Sequence, residues 1–482
     1  MIKLVINELQ KIFLRKNVYI LMAAVVAFIL YSNYTISSME NKRKENENKN
    51  NNPDISFMEK ELIKIDLDKY PERYIILKNT IDSINLMNKY SKESWQYNYL
   101  TTSTHYKYIN NVNEYTYGKN KNEEKLLEAG INYDSFVEKL DNNQWKESIE
   151  QELTYQKKNL EDLKSYYTKT GTDIGKDVAE VEIYIESLEL RLSKNINFDN
   201  GYLDKALQSY SNHSKSALNL DLTKFRYEYV GRQQLQAHTE EIAISKYTIE
   251  NNINALSKGY HTSLTASIFE QYDIFILILI LLISGGIVSE EFSKGTIKLL
   301  LIRPHSRYKI LLSKYITVII MIFLSYFVIA ASQIIAEGLI SGYSDFNVNV
   351  AVYNFNTYKV STYNVVLYSI IDLFNYLPIL IILTTLSFAI SSVFMSTTLG
   401  IILPVIGLLG GNAINSTAMA RQIINLKYFI TLNWDFPMYM NGRLPKLEGL
   451  TWQFSLILFL VYFGLLMFAA FYEFKNKNIK NI

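Results

Sequence analysis

Few residues of this 482-residue chain are placed to do covalent chemistry. It has no cysteine, so disulfides, thiolate metal sites and thiol nucleophiles are excluded. Its five histidines, His105, His213, His238, His261 and His305, form no His-Glu-x-x-His pair or other close ligand pair. No Gly-x-Ser-x-Gly elbow occurs. The nearest approach to a phosphate-cradling loop is Gly171-Thr172-Asp173-Ile174-Gly175-Lys176. It is one residue short and is followed by Asp177 instead of a magnesium-binding hydroxyl, so it reads as a turn between helices. What remains is charge at the ends of apolar runs. The uncharged stretch Ile274 to Ser289 stops at Glu290-Glu291-Phe292-Ser293-Lys294-Gly295-Thr296-Ile297-Lys298. Arg303-Pro304-His305-Ser306-Arg307 follows, and another apolar run begins near Lys314. Two carboxylates are costly in lipid and fix a membrane exit. Gly295 permits a turn that other residues resist. Arg303, Arg307 and Lys309 would face anionic lipid or an acidic partner. Such a segment is suited to receiving a push, not to making or breaking bonds.

The elements that hold it are membrane spans. Residues 17–39, 315–336, 373–420 and 449–472 carry no Asp, Glu, Lys or Arg, and a span needs about 20 apolar residues. The 373–420 stretch is about twice that length and contains breakers, so it supplies the ends of two spans. The expected spans are 17–37, 272–289, 314–337, 363–390, 397–415 and 450–472, with Ser391 to Thr397 as a short turn. Segments 338–362 and 416–449 are polar and aromatic and read as outside segments. In residues 1–16, Ile2, Val5, Ile6, Leu9, Ile12 and Phe13 share one helical face, the pattern of an amphipathic interfacial helix. The alternative is the frayed start of the first span. Tyr31-Ser32-Asn33-Tyr34 is a poor cleavage site, so the first span is expected to stay attached.

Charge separates with the spans. Residues 38–271 hold 31 Lys and Arg against 37 Asp and Glu, while the remainder holds 18 against 10. There is no overall basic surface, which argues against nucleic acid as a partner. Thirteen of those 18 basic residues fall in the N-terminal segment, in 290–313 with Lys314, or in the tail 473–482. The positive-inside rule then places both termini in the cytosol and residues 38–268 outside. The Asn, Lys, Ile and Tyr bias suggests an AT-rich genome and hence a bacterial cell membrane.

The 38–268 domain reads as helical, after an Asn-, Lys- and Glu-rich linker from Asn41 to Asp54. Ile149, Leu153, Gln156, Leu160, Leu163 and Tyr167 step by three and four, as do Val178, Val181, Ile185, Leu188 and Leu192. The break between them predicts an antiparallel helical hairpin. Further helices are expected within 57–90 and 203–260. The tyrosines at 97, 99, 106, 108, 115 and 117 suit a domain core or interface belt. The sharper alternative is a docking surface for a peptide or lipid-like cargo. In the spans, Asp372 is the candidate functional acid and Glu337 ends the third span. Gly407-Leu408-Leu409-Gly410-Gly411 has a small-x-x-x-small spacing that would let helices approach closely, or would lend flexibility.

The segment Glu290 to Arg307 resembles the cytosolic loop between the second and third spans of ABC-2-type transporter permeases. There an acidic residue, a spacer and Gly-Thr lead into an apolar-basic helix ending in an Arg-Pro-x-Ser-Arg-like turn. Six spans and the N-terminal helix agree with that resemblance, which covers the membrane part, about half of the chain. The large domain between the first two spans departs from typical members and is similar to an elaborated bacterial subgroup. The resemblance implies an all-α integral membrane protein with a large α-helical extracellular domain, acting as the non-catalytic membrane subunit of an exporter. Glu290, Glu291, Gly295, Thr296, Lys298, Arg303, Pro304 and Arg307 would couple it to a separate cytosolic ABC ATPase. ATP and Mg would bind that partner, leaving no cofactor or metal on this chain. A second permease subunit, identical or a sister, and membrane lipid would complete the assembly. The cargo class would be a peptide, an antibiotic or a lipid-like molecule. The rival reading is a membrane-anchored sensor or immunity protein that captures a peptide without transport. A membrane enzyme acting on lipid is a weaker rival, because no catalytic set is clustered.

Overall fold

A computed structural model of the chain describes residues 1–49, 55–102, 105–119, 121–170, 174–260, 263–297 and 306–476. Two compact units emerge. One comprises Met1–Met39, Asp221–Ala237 and Ala255–Ile482; the other comprises Glu40–Leu220 and His238–Asn254. Residues 221–237 and 255–268, expected in the large domain, therefore belong to the first unit.

The first unit begins with α1 (Ile2–Phe13), and α2 (Lys16–Lys49) follows at once. The apolar part of α2, Lys16–Met39, is long enough to cross a membrane. The helix continues through residues 41–49, where a linker was expected, because Glu and Lys are good helix formers when nothing breaks the run. Among the described residues five more helices are long and apolar enough to span, so this is a multi-pass, essentially all-α membrane protein. Among the described residues nine α-helices, between Ser56 and Asn251, separate α2 from the next span. The remaining spans are α12 (Ile268–Ser293), α13 (Arg307–Ile340), α14 (Val365–Phe394), α15 (Thr397–Arg421) and, after the short α16 (Phe436–Met440), α17 (Trp452–Asn476).

The second and fourth spans are the centre of this unit, 72% and 61% buried, whereas the sixth is 11% buried and presents its apolar surface outward. The expected turn at 391–397 is tighter than the sequence suggested. The fourth span continues to Phe394, Met395 takes a left-handed conformation (φ 51°), and Ser396 caps the fifth span. The third span starts seven residues before Lys314, at Arg307, capped by Ser306.

The segment 338–362, expected as a polar outside loop or surface-lying segment, carries strand residues. β1 (Ala255–Ser257), β2 (Asn349–Asn354) and β3 (Lys359–Asn364) form one sheet. β1 runs parallel to β2 with Ala255 opposite Asn349, and β2 pairs antiparallel to β3 with Asn349 opposite Asn364. Alternating Val, Tyr and Thr residues favour strand at these positions.

The second unit is helical: α3 (Ser56–Ile63), α4 (Pro71–Met87), α5 (Trp95–Leu100), α6 (Tyr106–Tyr117), α7 (Glu123–Asp141), α8 (Trp145–Thr170), α9 (Gly175–Ser193), α10 (Tyr202–Asn219) and the C-terminal part of α11 (Glu228–Asn251). α8 and α9 form the expected antiparallel hairpin. Lys164 pairs with Glu182 and Lys157 with Glu189, each at 2.8 Å, so the contacts run in opposite directions along the two helices. Gly171 to Asp173 lie outside the described residues. Tyr99 and Tyr108 join Phe136, Leu140, Ile149 and Phe198 in the core, whereas Tyr106 is exposed.

Candidate functional site

The site is built where α1 meets the adjoining ends of the second and third spans. α1 buries Leu4, Val5, Glu8 and Ile12. Ile2, Ile6 and Phe13 form an exposed apolar stripe beside that face. The expected single apolar face is thus two: one against protein, one open. The buried strip contains a carboxylate, which sequence periodicity alone treats as out of place.

Glu8 is buried because it meets cations. Lys314, fully buried, places Nζ 2.8 Å from Glu8 Oε2, 2.8 Å from Glu291 Oε1 and 3.1 Å from the Ile287 carbonyl. Lys11 Nζ lies 2.8 Å from Glu8 Oε1 and 2.8 Å from Glu291 Oε1. Two acids and two bases therefore close a ring of alternating charge with no net charge. Ionised groups out of water cost several kcal/mol each, and only such mutual pairing offsets that cost. Although burial works against the Glu8 charge, Lys314 and Lys11 hold its carboxyl below the usual value. Burial likewise opposes the Lys11 charge, but the hydrogen bonds and charges of Glu291 and Glu8 raise its ammonium above the usual value.

A second pair extends the ring along α12. Arg15 Nη1 is 2.8 Å from Glu290 Oε1, and Lys294 Nζ is 2.8 Å from Glu290 Oε2. Gly286 makes room for it: a Cβ there would meet Glu290 Oε1 at 2.7 Å and Arg15 Nη1 at 3.0 Å. The helix of the second span runs on to Ser293, four residues past the expected end at Ser289. Gly295 adopts φ +69°, which a side chain would strain. Thr296 Oγ1 donates to the Glu291 carbonyl at 3.4 Å.

Of the residues singled out from sequence, Glu290 and Glu291 lie in this cluster, with Gly295 and Thr296 just beyond. Arg307 lies elsewhere, donating from Nη1 to the Lys475 carbonyl at 2.7 Å and so tying the third span to the sixth. Lys298, Arg303 and Pro304, with His305, lie outside the described residues. Sequence reasoning missed Glu8, Lys11, Arg15 and Lys314 as partners. The available signal was the 3-then-4 spacing of Glu8, Lys11 and Arg15, the first two on one face of α1 and the third just past its end.

Toward the other ends of the spans, Asp372 is buried and pairs with Lys258 at 2.7 Å; Lys258 also reaches Glu270 at 3.3 Å. Glu337 Oε2 accepts from Thr265 N at 3.0 Å, Thr265 Oγ1 at 2.8 Å and Gln333 Nε2 at 3.0 Å. Gln333 Oε1 in turn accepts from Tyr272 at 2.5 Å and Asn33 at 2.9 Å, linking the first three spans.

In the stretch Gly407-Leu408-Leu409-Gly410-Gly411 a Cβ at Gly407 or Gly410 would meet open space, whereas one at Gly411 would run into Thr431 Cγ2, in the segment that follows the fifth span and not on another span. The tight seam joins the second, fourth and fifth spans. A Cβ on Gly400 would come within 3.0 Å of Gly285 Cα. Ser284 donates to Ser387 at 2.7 Å, and Ser391 to the Gly285 carbonyl at 2.6 Å.

Residues 233–480 match the family described as Protein of unknown function (DUF2705). The chain belongs to that family. The DUF2705 match includes Glu290, Glu291, Lys314 and Asp372 but not α1 or most of the second unit. Two proteins of Bacillus subtilis (strain 168) are similar. The "Uncharacterized protein YhcI" is 28% identical over 276 residues, 56% of this chain and 86% of that protein. The "Uncharacterized membrane protein YdbK" is 25% identical over 248 residues, 50% of this chain and 89% of that protein. Both are shorter than this DUF2705 chain. No solved structure matches it.

Proposed function

We propose that this chain is the membrane-spanning permease subunit of an ABC-2-type exporter, driven by a separate cytosolic ATPase that binds ATP and Mg. The observation that carries this reading is the ring of Glu8, Glu291 and Lys314, all buried, closed by the half-exposed Lys11. It fastens an amphipathic N-terminal helix to the segment that resembles the family's coupling loop. A push on that segment would move α1 and two spans together instead of bending a loose loop. The basic residues near the ring favour a cytosolic location for it and for both termini, with the second unit outside the cell. The exposed stripe of Ile2, Ile6 and Phe13 suits the lipid surface. Two such subunits would face each other across the pathway of a peptide, antibiotic or lipid-like cargo, and this chain would catalyse nothing.

The test is purification of the chain from its native membrane in mild detergent, with partners identified by mass. Recovery of an ABC ATPase supports the reading. A chain that purifies without any ATPase, yet retains its cellular effect, overturns it in favour of a ligand-capturing sensor or immunity protein.

A further inference from the structure

The second unit contains a cavity of about 290 Å³, at the lower edge of the about 300–1,000 Å³ common for small-molecule sites. Two helix faces form its walls. α9 contributes Tyr184, Leu188 and Arg191, and α10 contributes Leu207, Ser211 and Lys215, all at three- or four-residue steps. The floor is apolar and buried, built from Tyr99, Ile149 and Phe198, and exposed Thr101, Thr102 and Asn212 mark the mouth.

The charges in this cavity are unequal in status. Arg191 is already neutralised. Its Nη2 lies 2.6 Å from Asp204, its Nη1 donates to the carbonyls of Ile196 and Asn197 at 3.2 Å, and its guanidinium stacks 3.7 Å from the Phe198 ring centroid. Lys215 is half-buried, and among the described residues no carboxylate pairs with it. Its ammonium lies 5.4 Å from the Tyr184 ring centroid. Among the described residues no Asp or Glu lines the cavity, although residues 38–271 carry an excess of acids. An ammonium partly withdrawn from water without a counter-ion is unfavourable, and a ligand anion would relieve it through a charge-assisted hydrogen bond.

The geometry points to a binding site for a small aromatic carboxylate, with its carboxylate on Lys215 and its ring on the floor of Tyr99, Ile149 and Phe198. A free aromatic acid and the C-terminal residue of a peptide share this chemistry. The site does not depend on the transport reading, since capture of such a ligand would serve a sensor equally well.

The test is calorimetric titration of the full chain in detergent micelles with N-acetyl-tyrosine, N-acetyl-tyrosinamide and a pentapeptide ending in tyrosine carboxylate. The acid or the peptide should bind at least about tenfold more tightly than the amide. Lys215→Gln should remove that difference and Lys215→Arg should keep it, with the melting temperature unchanged in both. Binding of the pentapeptide alone assigns the site to a peptide terminus; binding of N-acetyl-tyrosine alone assigns it to a small acid. Equal binding of acid and amide, unaltered binding by Lys215→Gln, or no binding of any probe at about 10 mM overturns the proposal.

Discussion

Lys314 and Glu8, 306 positions apart in sequence, meet at 2.8 Å with both side chains buried. The third span and the N-terminal helix are therefore joined by charge at a place where water cannot screen either partner. Removing one member of a buried pair costs about 3–5 kcal/mol, because the remaining charge stays out of water. Lys314→Met should lower the stability of the purified chain by that order and expose α1 to protease. Adding Glu8→Gln to Lys314→Met should recover part of the loss, since fewer unmatched acids remain. Thermal unfolding in detergent and limited proteolysis read both effects.

Glu290 and Glu291 are adjacent in sequence but unequal in the structure. Glu291 belongs to the buried ring; Glu290 sits at 26% side-chain exposure between Arg15 and Lys294. Glu291→Ala should cost several kcal/mol, whereas Glu290→Ala should cost about 1 kcal/mol or less, as partly exposed pairs do. Comparing the two melting temperatures decides the point, and equal losses would contradict this arrangement.

The ring also fixes a pH window. Glu8 has a lowered folded-state pKa, so its contribution is complete above its ordinary value of 4.5 and is lost as pH falls through the lower folded value. Lys11 has a raised folded-state pKa, so its contribution is complete below 10.5 and is lost as pH rises through the higher folded value. Protease protection of α1 should accordingly be flat between those limits and decline outside them. Glu8→Gln should remove Glu8's share of the acid-side decline.

Glycines in the fifth span separate by what they face. Gly400→Ala presses a methyl against the backbone at Gly285 and should destabilise by about 1–3 kcal/mol. Gly407→Ala and Gly410→Ala meet open space and should be neutral or stabilising by up to about 1 kcal/mol. Unfolding of the three variants side by side tests the packing of the second span on the fifth.

Asp372 has a structural partner in Lys258. Lys258→Met leaves a buried acid unpaired and should destabilise more than Lys258→Met combined with Asp372→Asn. If the double variant recovers stability but loses its cellular effect, the acid has a functional role beyond the ion pair.

The six spans were legible because each contains a long apolar run with at most one charged residue inside it, and the α8–α9 hairpin because its apolar steps are regular. The charged ring was not, since no local pattern tells Glu8 that Lys314 lies beside it. Periodicity also failed inside the spans. A helix apolar on every side gives no sign of which face is packed, so the contact at Gly285 and Gly400 was invisible, while of the noticed Gly407–Gly411 spacing only Gly411 meets a close neighbour, Thr431. The sheet was missed because its strands are short and β1 lies far in sequence from β2 and β3, so pairing rather than composition defines it.

Force entering through α1 is read by the distance between spin labels at Leu14→Cys and Leu465→Cys, both exposed positions in a chain with no native cysteine. It would be measured in the complex with the co-purified ATPase, with and without ATP. Nucleotide should shift this distance in the otherwise native chain, and Glu291→Ala should abolish or blunt the shift. A distance that is the same with and without nucleotide would contradict entry of force through α1 and the adjoining ends of the second and third spans.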